Sequence, residues 1–344
     1  MKKVFCKMAL AAVLALTTLF TGCKAPSSGG GGNPGVSTPE YNPPEKQIPL
    51  TLEVIADGEI TFDNLDKIDN LKYTKNNGPL TDATLSISVA AGDIISLFAQ
   101  GTLNTDASSE CFKIDCSSDC YIYGNVMSLL TDNYKTATTI TQDYAFTYLF
   151  NSNTHIKNHS EKELVLPATT LKNYCYRNMF EGCTSLTKAP ELPADTMKLY
   201  CYGSMFKDCT LLTEAPALPA TTLAASCYTF MFRGCTSLTQ APDLPATSLM
   251  NYCYNGMFEL CTSLTTAPVL SATTLPQGCY YYMFDGCTSL NKVTCLVTDI
   301  SAQKCTVQWL SGVTSSGTFI KASDMNDWPS GYSGIPSSWT VQNK

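Results

Sequence analysis

From Leu166 onward the chain repeats one pattern of apolar and polar positions. Five units begin at Leu166, Leu192, Leu218, Leu244 and Leu270, 26 residues apart, each close to L-P-A-T-T-L-x-x-x-C-Y-x-x-M-F-x-G-C-T-S-L-T-x-A-P. Leu171, Cys175, Met179 and Cys183 are spaced by four, as are Tyr176 and Phe180. That spacing predicts one broad apolar face along a short helix of about three turns. Thr169 and Thr170 stand where a hydroxyl would cap the first turn. Gly182, Gly234 and Gly286 stand where a left-handed residue would end the helix, and Asp208 and Leu260 depart from that rule. Leu186 to Ala189 predict a strand of three or four residues, paired in parallel with its copies about 4.8 Å away. Pro190, Pro216, Pro242 and Pro268 remove a donor at the same rung and keep the strand short. No unit can bury its apolar face alone, so the copies must stack into a repeat solenoid.

The pattern extends at both ends. Ala145-Phe146 and Leu149-Phe150 repeat Cys175-Tyr176 and Met179-Phe180 at a displacement of 30 residues, which makes an imperfect earlier unit. After Cys305 the unit degrades, with Trp309 where methionine stood, and the chain turns Gly- and Ser-rich. A stack needs a bulky closure, so residues 306–344 are expected to be a C-terminal cap, with Gly317 to Lys321 and Trp339 to Gln342 as closing strands. Ahead of the repeats, Leu50–Ile55, Glu59–Phe62, Thr84–Val89, Ile94–Phe98 and Tyr121–Tyr123 partly alternate and are broken by Gly58, Asn76-Asn77-Gly78 and Gly92-Asp93. They predict a small all-β, sandwich-like domain over residues 48–140, chiefly a spacer and N-terminal cap for a repeat region spanning 141–305, with a carbohydrate- or protein-binding module as the lesser reading.

The series Met179-Phe180, Cys183, Leu186, Ala189 and Leu192-Pro193 resembles the BspA-like leucine-rich repeats of bacterial surface proteins, whose units read A-F-x-x-C-x-x-L-x-x-I-x-L-P. The resemblance spans roughly residues 144–310. It departs in Met for Ala, in Ala for Ile, and in a 26-residue unit where 22 or 23 is usual. It implies a leucine-rich-repeat solenoid of short parallel strands and short helices, a small β domain ahead of it, and adhesion to host or neighbouring bacterial molecules.

At the N-terminus Lys2, Lys3 and Lys7 precede an apolar run from Met8 to Phe20, the order of a secretory signal and too short to span a bilayer. It closes on Phe20-Thr21-Gly22-Cys23, which resembles the bacterial lipobox with Phe in place of the usual Leu. Residues 1–22 are expected to be a lipoprotein signal peptide, Cys23 to be acylated, and the Gly- and Pro-rich stretch 23–47 to be a flexible tether. The expected location is the outer membrane or cell surface, with the lipid at Cys23 as the membrane contact. Loss of residues 1–22 removes three lysines and no acids, taking the net charge from −7 to −10, which argues against nucleic acid as a partner.

Seventeen cysteines in an exported chain suggest disulfides, but the spacing argues otherwise. Stacked copies leave each internal cysteine two equivalent neighbours, which suits buried free thiols better than cross-links. Cys111, Cys116 and Cys120 form a separate C-x4-C-x3-C group. His155 and His159, the only histidines, lie in the inserted region and are expected to be solvated; zinc on these two groups is the lesser reading. No Gly-rich phosphate loop, G-x-S-x-G or H-E-x-x-H occurs, and no histidine is tied by sequence to a repeat cysteine. No metal, cofactor or enzymatic activity is expected.

Recognition is expected where the units differ at positions facing water. On the strand side these are Lys188, Glu191, Glu214, Gln240 and Asp243, then Thr266 and Val269. On the helix side they are Arg177-Asn178, Gly203-Ser204, Thr229-Phe230, Asn255-Gly256 and Tyr281-Tyr282. The candidate binding residues are therefore Lys188, Glu191, Glu214, Gln240 and Asp243 with Phe230, Tyr281 and Tyr282. The expected role is non-enzymatic binding of a protein or glycan at the cell surface; the alternative is a periplasm-facing scaffold lipoprotein with no external ligand.

Overall fold

A computed structural model describes residues 44–104, 110–326 and 328–344. The signal peptide, Cys23 and the tether up to residue 43 lie outside the described residues. The tether's last residues belong to the fold: Pro44–Gln47 make a 3-10 turn, Lys46 is buried, and its carbonyl accepts from the Asn125 side chain.

The first part is all strand. β1 (Thr51–Val54), β2 (Gly58–Asp63), β3 (Lys72–Lys75), β4 (Thr81–Asp82), β5 (Ser86–Val89), β6 (Ile94–Phe98), β7 (Lys113–Cys116) and β8 (Cys120–Asn125) pair antiparallel. They form two sheets, ordered β8-β1-β6-β3-β4 and β5-β2-β7. β9 (Ile156–Asn158) and β10 (Leu164–Val165), from the repeat side of residue 140, join β8 in parallel. The hydrogen bonding is thus continuous from the β domain into the repeats. One apolar cluster runs from Leu50 to Trp339.

The expected helices are absent. Among the described residues the only helical elements are 3-10 turns at Pro44–Gln47, Leu65–Lys67 and Val126–Leu129. Each repeat instead carries a run of turns with a left-handed residue at every fourth position. Tyr174, Asn178 and Gly182 have φ of 59°, 56° and 75°, and Tyr200, Ser204 and Asp208 have 51°, 53° and 59°. Alternate amides serve different partners. Arg177, Met179, Glu181 and Cys183 donate to the carbonyl three residues back, whereas Tyr174, Tyr176, Asn178, Phe180 and Gly182 donate to the next unit's Leu199, Cys201, Gly203, Met205 and Lys207. An α-helix keeps its amide bonds inside one segment; this ribbon spends half of them joining neighbours. Gly182 is left-handed as expected, but as the third such residue of a ribbon and not as a helix cap. Thr169 and Thr170 cap nothing: both amides donate to Thr138, and Thr170 bridges Thr139.

The imperfect first unit behaves like the others, with Tyr144, Tyr148 and Ser152 left-handed and Phe146 and Phe150 donating to Cys175 and Met179. The buried rings consequently form two continuous columns. Phe150, Phe180, Phe206, Phe232, Phe258 and Phe284 stack at 5.5–5.8 Å. Phe146, Tyr176, Tyr202, Tyr228, Tyr254 and Tyr280 stack at 5.4–6.4 Å. Trp309 comes from the methionine position, yet its ring ends the tyrosine column on Tyr280, and Trp328 stacks on it in turn.

Strand length follows proline. In units with Pro190, Pro216 and Pro242 the ladder is reduced to the bridges Lys188–Glu214 and Gln240–Thr266, shorter than the expected three or four residues. β11 (Thr266–Leu270), which contains Pro268, breaks register against β12 (Lys292–Cys295). At the proline position β12 has Thr294, and it pairs without interruption to β13 (Thr318–Lys321), which pairs to β14 (Thr340–Asn343). These four strands form one parallel sheet, and its last two are the expected closing strands.

Candidate functional site

The strand side carries three depressions. The first, about 290 Å³, lies between residues 158–164 and 186–191 and is lined by Lys188 and Glu191 together with His159 and Lys162. The next is lined by Glu214 and Gln240, and the one after it by Asp243 among Pro216, Pro219, Pro242 and Pro245. Ala215 and Pro242 wall both of the later depressions, which therefore adjoin, whereas the first shares no lining residue with either; Lys188 and Glu191 line the first, and Glu214, Gln240 and Asp243 line the other two. The prolines that shorten the strands, Pro190, Pro216 and Pro242, also wall these depressions.

Around the first depression the charges are paired. Lys162 Nζ donates to Glu53 Oε2 at 2.8 Å and lies 4.2 Å from the Tyr123 ring centre. That hydrogen bond holds the Glu53 carboxyl below its usual range. Lys188 Nζ donates to Glu163 at 2.8 Å, which raises the lysine. His159 is not solvated: its side chain is 13% exposed and sits edge-on to Tyr121 and Tyr123 at 5.2 and 5.5 Å. Its Nδ1 accepts from the amides of Glu161 and Lys162, leaving Nε2 toward Glu53 at 3.8 Å. His155 pairs with Asp119 at 3.1 Å. The sequence hid this cluster because Glu53, Tyr123 and Lys162 are far apart along the chain; the available signal was Tyr121 and Tyr123, two apart and so on one face of β8.

The other three candidates lie on the turn ribbons. Phe230 and Tyr282 occupy the same place two units apart, with Gly256 between them. Phe230 is left-handed, and its ring lies over Gly256, where a Cβ would come within 2.2 Å of it. Tyr281 and Tyr282 touch, with ring centres 4.0 Å apart, and Lys304 Nζ is 5.7 Å from the Tyr281 ring centre. The hydrogen bond to Tyr281 pushes the Tyr282 phenol up to about 12.

The repeat cysteines are buried and unbonded to one another. Cys183, Cys209, Cys235, Cys261 and Cys287 do more than fill space: each Sγ donates to the carbonyl of a phenylalanine one unit back, at 2.9–3.1 Å. Burial pushes the thiols up, Cys201 and Cys253 to about 12, so they are poor nucleophiles. Among the described residues no group of three or more His, Cys, Asp or Glu is arranged to hold a metal ion, and no helix is long and apolar enough to cross a membrane. No protein family, curated protein or solved structure matches the chain.

Proposed function

We propose that this chain is a lipid-anchored binding protein of the outer membrane or cell surface, whose repeats form a solenoid of the BspA-like leucine-rich type and bind a protein or glycan. The observation carrying this reading is the set of depressions on the strand side. Lys188, Glu191, Glu214, Gln240 and Asp243, which differ between units, line depressions on one side, while the repeated Leu, Cys, Tyr, Met and Phe positions are buried. Binding sites are concave, with a few convergent polar groups on a rigid frame. The bonds between successive ribbons supply the frame. Cys23 supplies the anchor as an acylated cysteine that becomes the N-terminus when residues 1–22 are removed, and the tether holds the folded part off the membrane.

Two experiments test this. A screen of glycans and extracellular-matrix proteins against the full-length chain is expected to yield a ligand weakened by combined alanine substitution of Lys188, Glu214 and Asp243. Labelling of intact cells with an impermeant amine reagent is expected to reach the protein. Labelling only after lysis would refute the surface location and favour a periplasm-facing scaffold.

A further inference from the structure

The ribbon side carries a feature that folding does not require. At the places of Tyr281-Tyr282, other units have Arg177-Asn178, Gly203-Ser204, Thr229-Phe230 and Asn255-Gly256, so the ribbon also forms on small or polar residues. One coil further on, the Gln308 amide donates to the carbonyl of Tyr332, and that tyrosine is 65% exposed. Tyr332 and Tyr282 lie close enough to interact electrostatically, so three half-buried or exposed tyrosines gather at the C-terminal end beside Lys304; next to Lys304 in the chain, Gln303 Oε1 lies 3.3 Å from Gln277 Nε2, which donates to Tyr252 OH at 3.0 Å.

We infer that Tyr281, Tyr282 and Tyr332 are the stacking platform of a subsite for neutral glycans, with Lys304 and Gln303 as hydroxyl-binding groups at its edge. The inference rests on the binding role proposed above and names its ligand class. A pyranose ring presents C–H groups on a face, and their partial positive charge meets the negative face of an aromatic ring. Its hydroxyls then need donors and acceptors at the rim, which an ammonium and an amide supply. Neutral glycans fit best because the chain without residues 1–22 carries a net charge of −10, which repels anionic polymers.

The test is affinity electrophoresis of the full-length chain in gels containing laminarin, galactomannan, arabinoxylan or amylopectin, with polygalacturonic acid as the anionic control. At least one neutral polysaccharide is expected to retard the protein. The double variant Y281N/Y282G, which installs the pair found at Asn255-Gly256, is expected to bind about tenfold more weakly with an unchanged Tm. Y281F/Y282F keeps the ring faces and is expected to retain most of the binding. The inference is overturned if no neutral polysaccharide retards the protein, if Y281N/Y282G binds like the unaltered chain, or if alanine at Lys188, Glu214 and Asp243 abolishes retardation while Y281N/Y282G does not. Capture of a matrix protein without any polysaccharide would also overturn it while leaving the broader binding role standing.

Discussion

The tyrosine column makes a counterintuitive stability prediction at Tyr202. Its residue is 1% exposed and its ring stacks between Tyr176 at 5.7 Å and Tyr228 at 5.9 Å, yet its hydroxyl has no hydrogen-bond partner. A buried unsatisfied hydroxyl costs about 1–3 kcal/mol. Replacing tyrosine by phenylalanine removes that cost and sacrifices only one oxygen's dispersion contacts, at about 0.1–0.2 kcal/mol each. Tyr202→Phe should therefore stabilise by about 1 kcal/mol, and Phe146 shows that the column accepts phenylalanine. Tyr202→Ala, which deletes the ring from both stacks, should destabilise by about 3–5 kcal/mol. Urea unfolding followed by circular dichroism checks both: with a slope of about 3 kcal/mol per molar, the Phe variant's midpoint rises by about 0.3 M. A Phe variant destabilised by about 1 kcal/mol or more would refute the argument, because it would mean that the hydroxyl has a native partner.

Gly256→Ala should cost about 1–3 kcal/mol, since φ there is 57° and the new Cβ would meet the Phe230 ring; in a Phe230→Ala background the steric part should vanish, as a double-mutant cycle would read. Asp93 accepts from the Ala90 amide at 2.7 Å and pairs with Lys75 at 2.6 Å, which lowers its carboxyl from 3.8 to about 2. Because the folded value is depressed, its stabilisation is complete above about pH 4 and is lost as pH falls through about 2. Asp93→Asn should thus unfold more easily at neutral pH and converge with the unaltered chain near pH 2, as urea midpoints across that range would show. The repeat thiols should resist iodoacetamide at pH 8 in the native protein and react fully in urea; mass spectrometry finding most of them disulfide-bonded without reduction would contradict the buried-thiol account.

Periodicity exposed the stack but not the path of its chain. The 26-residue copies, the earlier unit at Phe146 and Phe150, and the closing strands were legible because ladders of identical residues need lateral neighbours. The spacing of four at Leu171, Cys175, Met179 and Cys183 was ambiguous, because four residues overshoot a helical turn by only about 40°. Over three steps, a helix with a broad apolar face and a ribbon of turns read alike. What separates them is a left-handed residue at every fourth position, and Tyr174, Tyr200 and Leu260 do not advertise that conformation as glycine does. The strand-side candidates were nominated because they differ between units; the depressions they line depend on prolines read only as strand breakers. His159 was misjudged because its two tyrosine neighbours come from β8, which local polarity cannot reveal.

The central claim, that the repeat region binds through its variable faces, is tested most directly by measuring saturable binding of the full-length chain to the glycan and matrix-protein panel, with the Lys188/Glu214/Asp243 alanine variant and Y281N/Y282G alongside. The account predicts a ligand that at least one of the two variants weakens about tenfold at unchanged stability. No saturable binding to any member, or binding that neither variant alters, would contradict it.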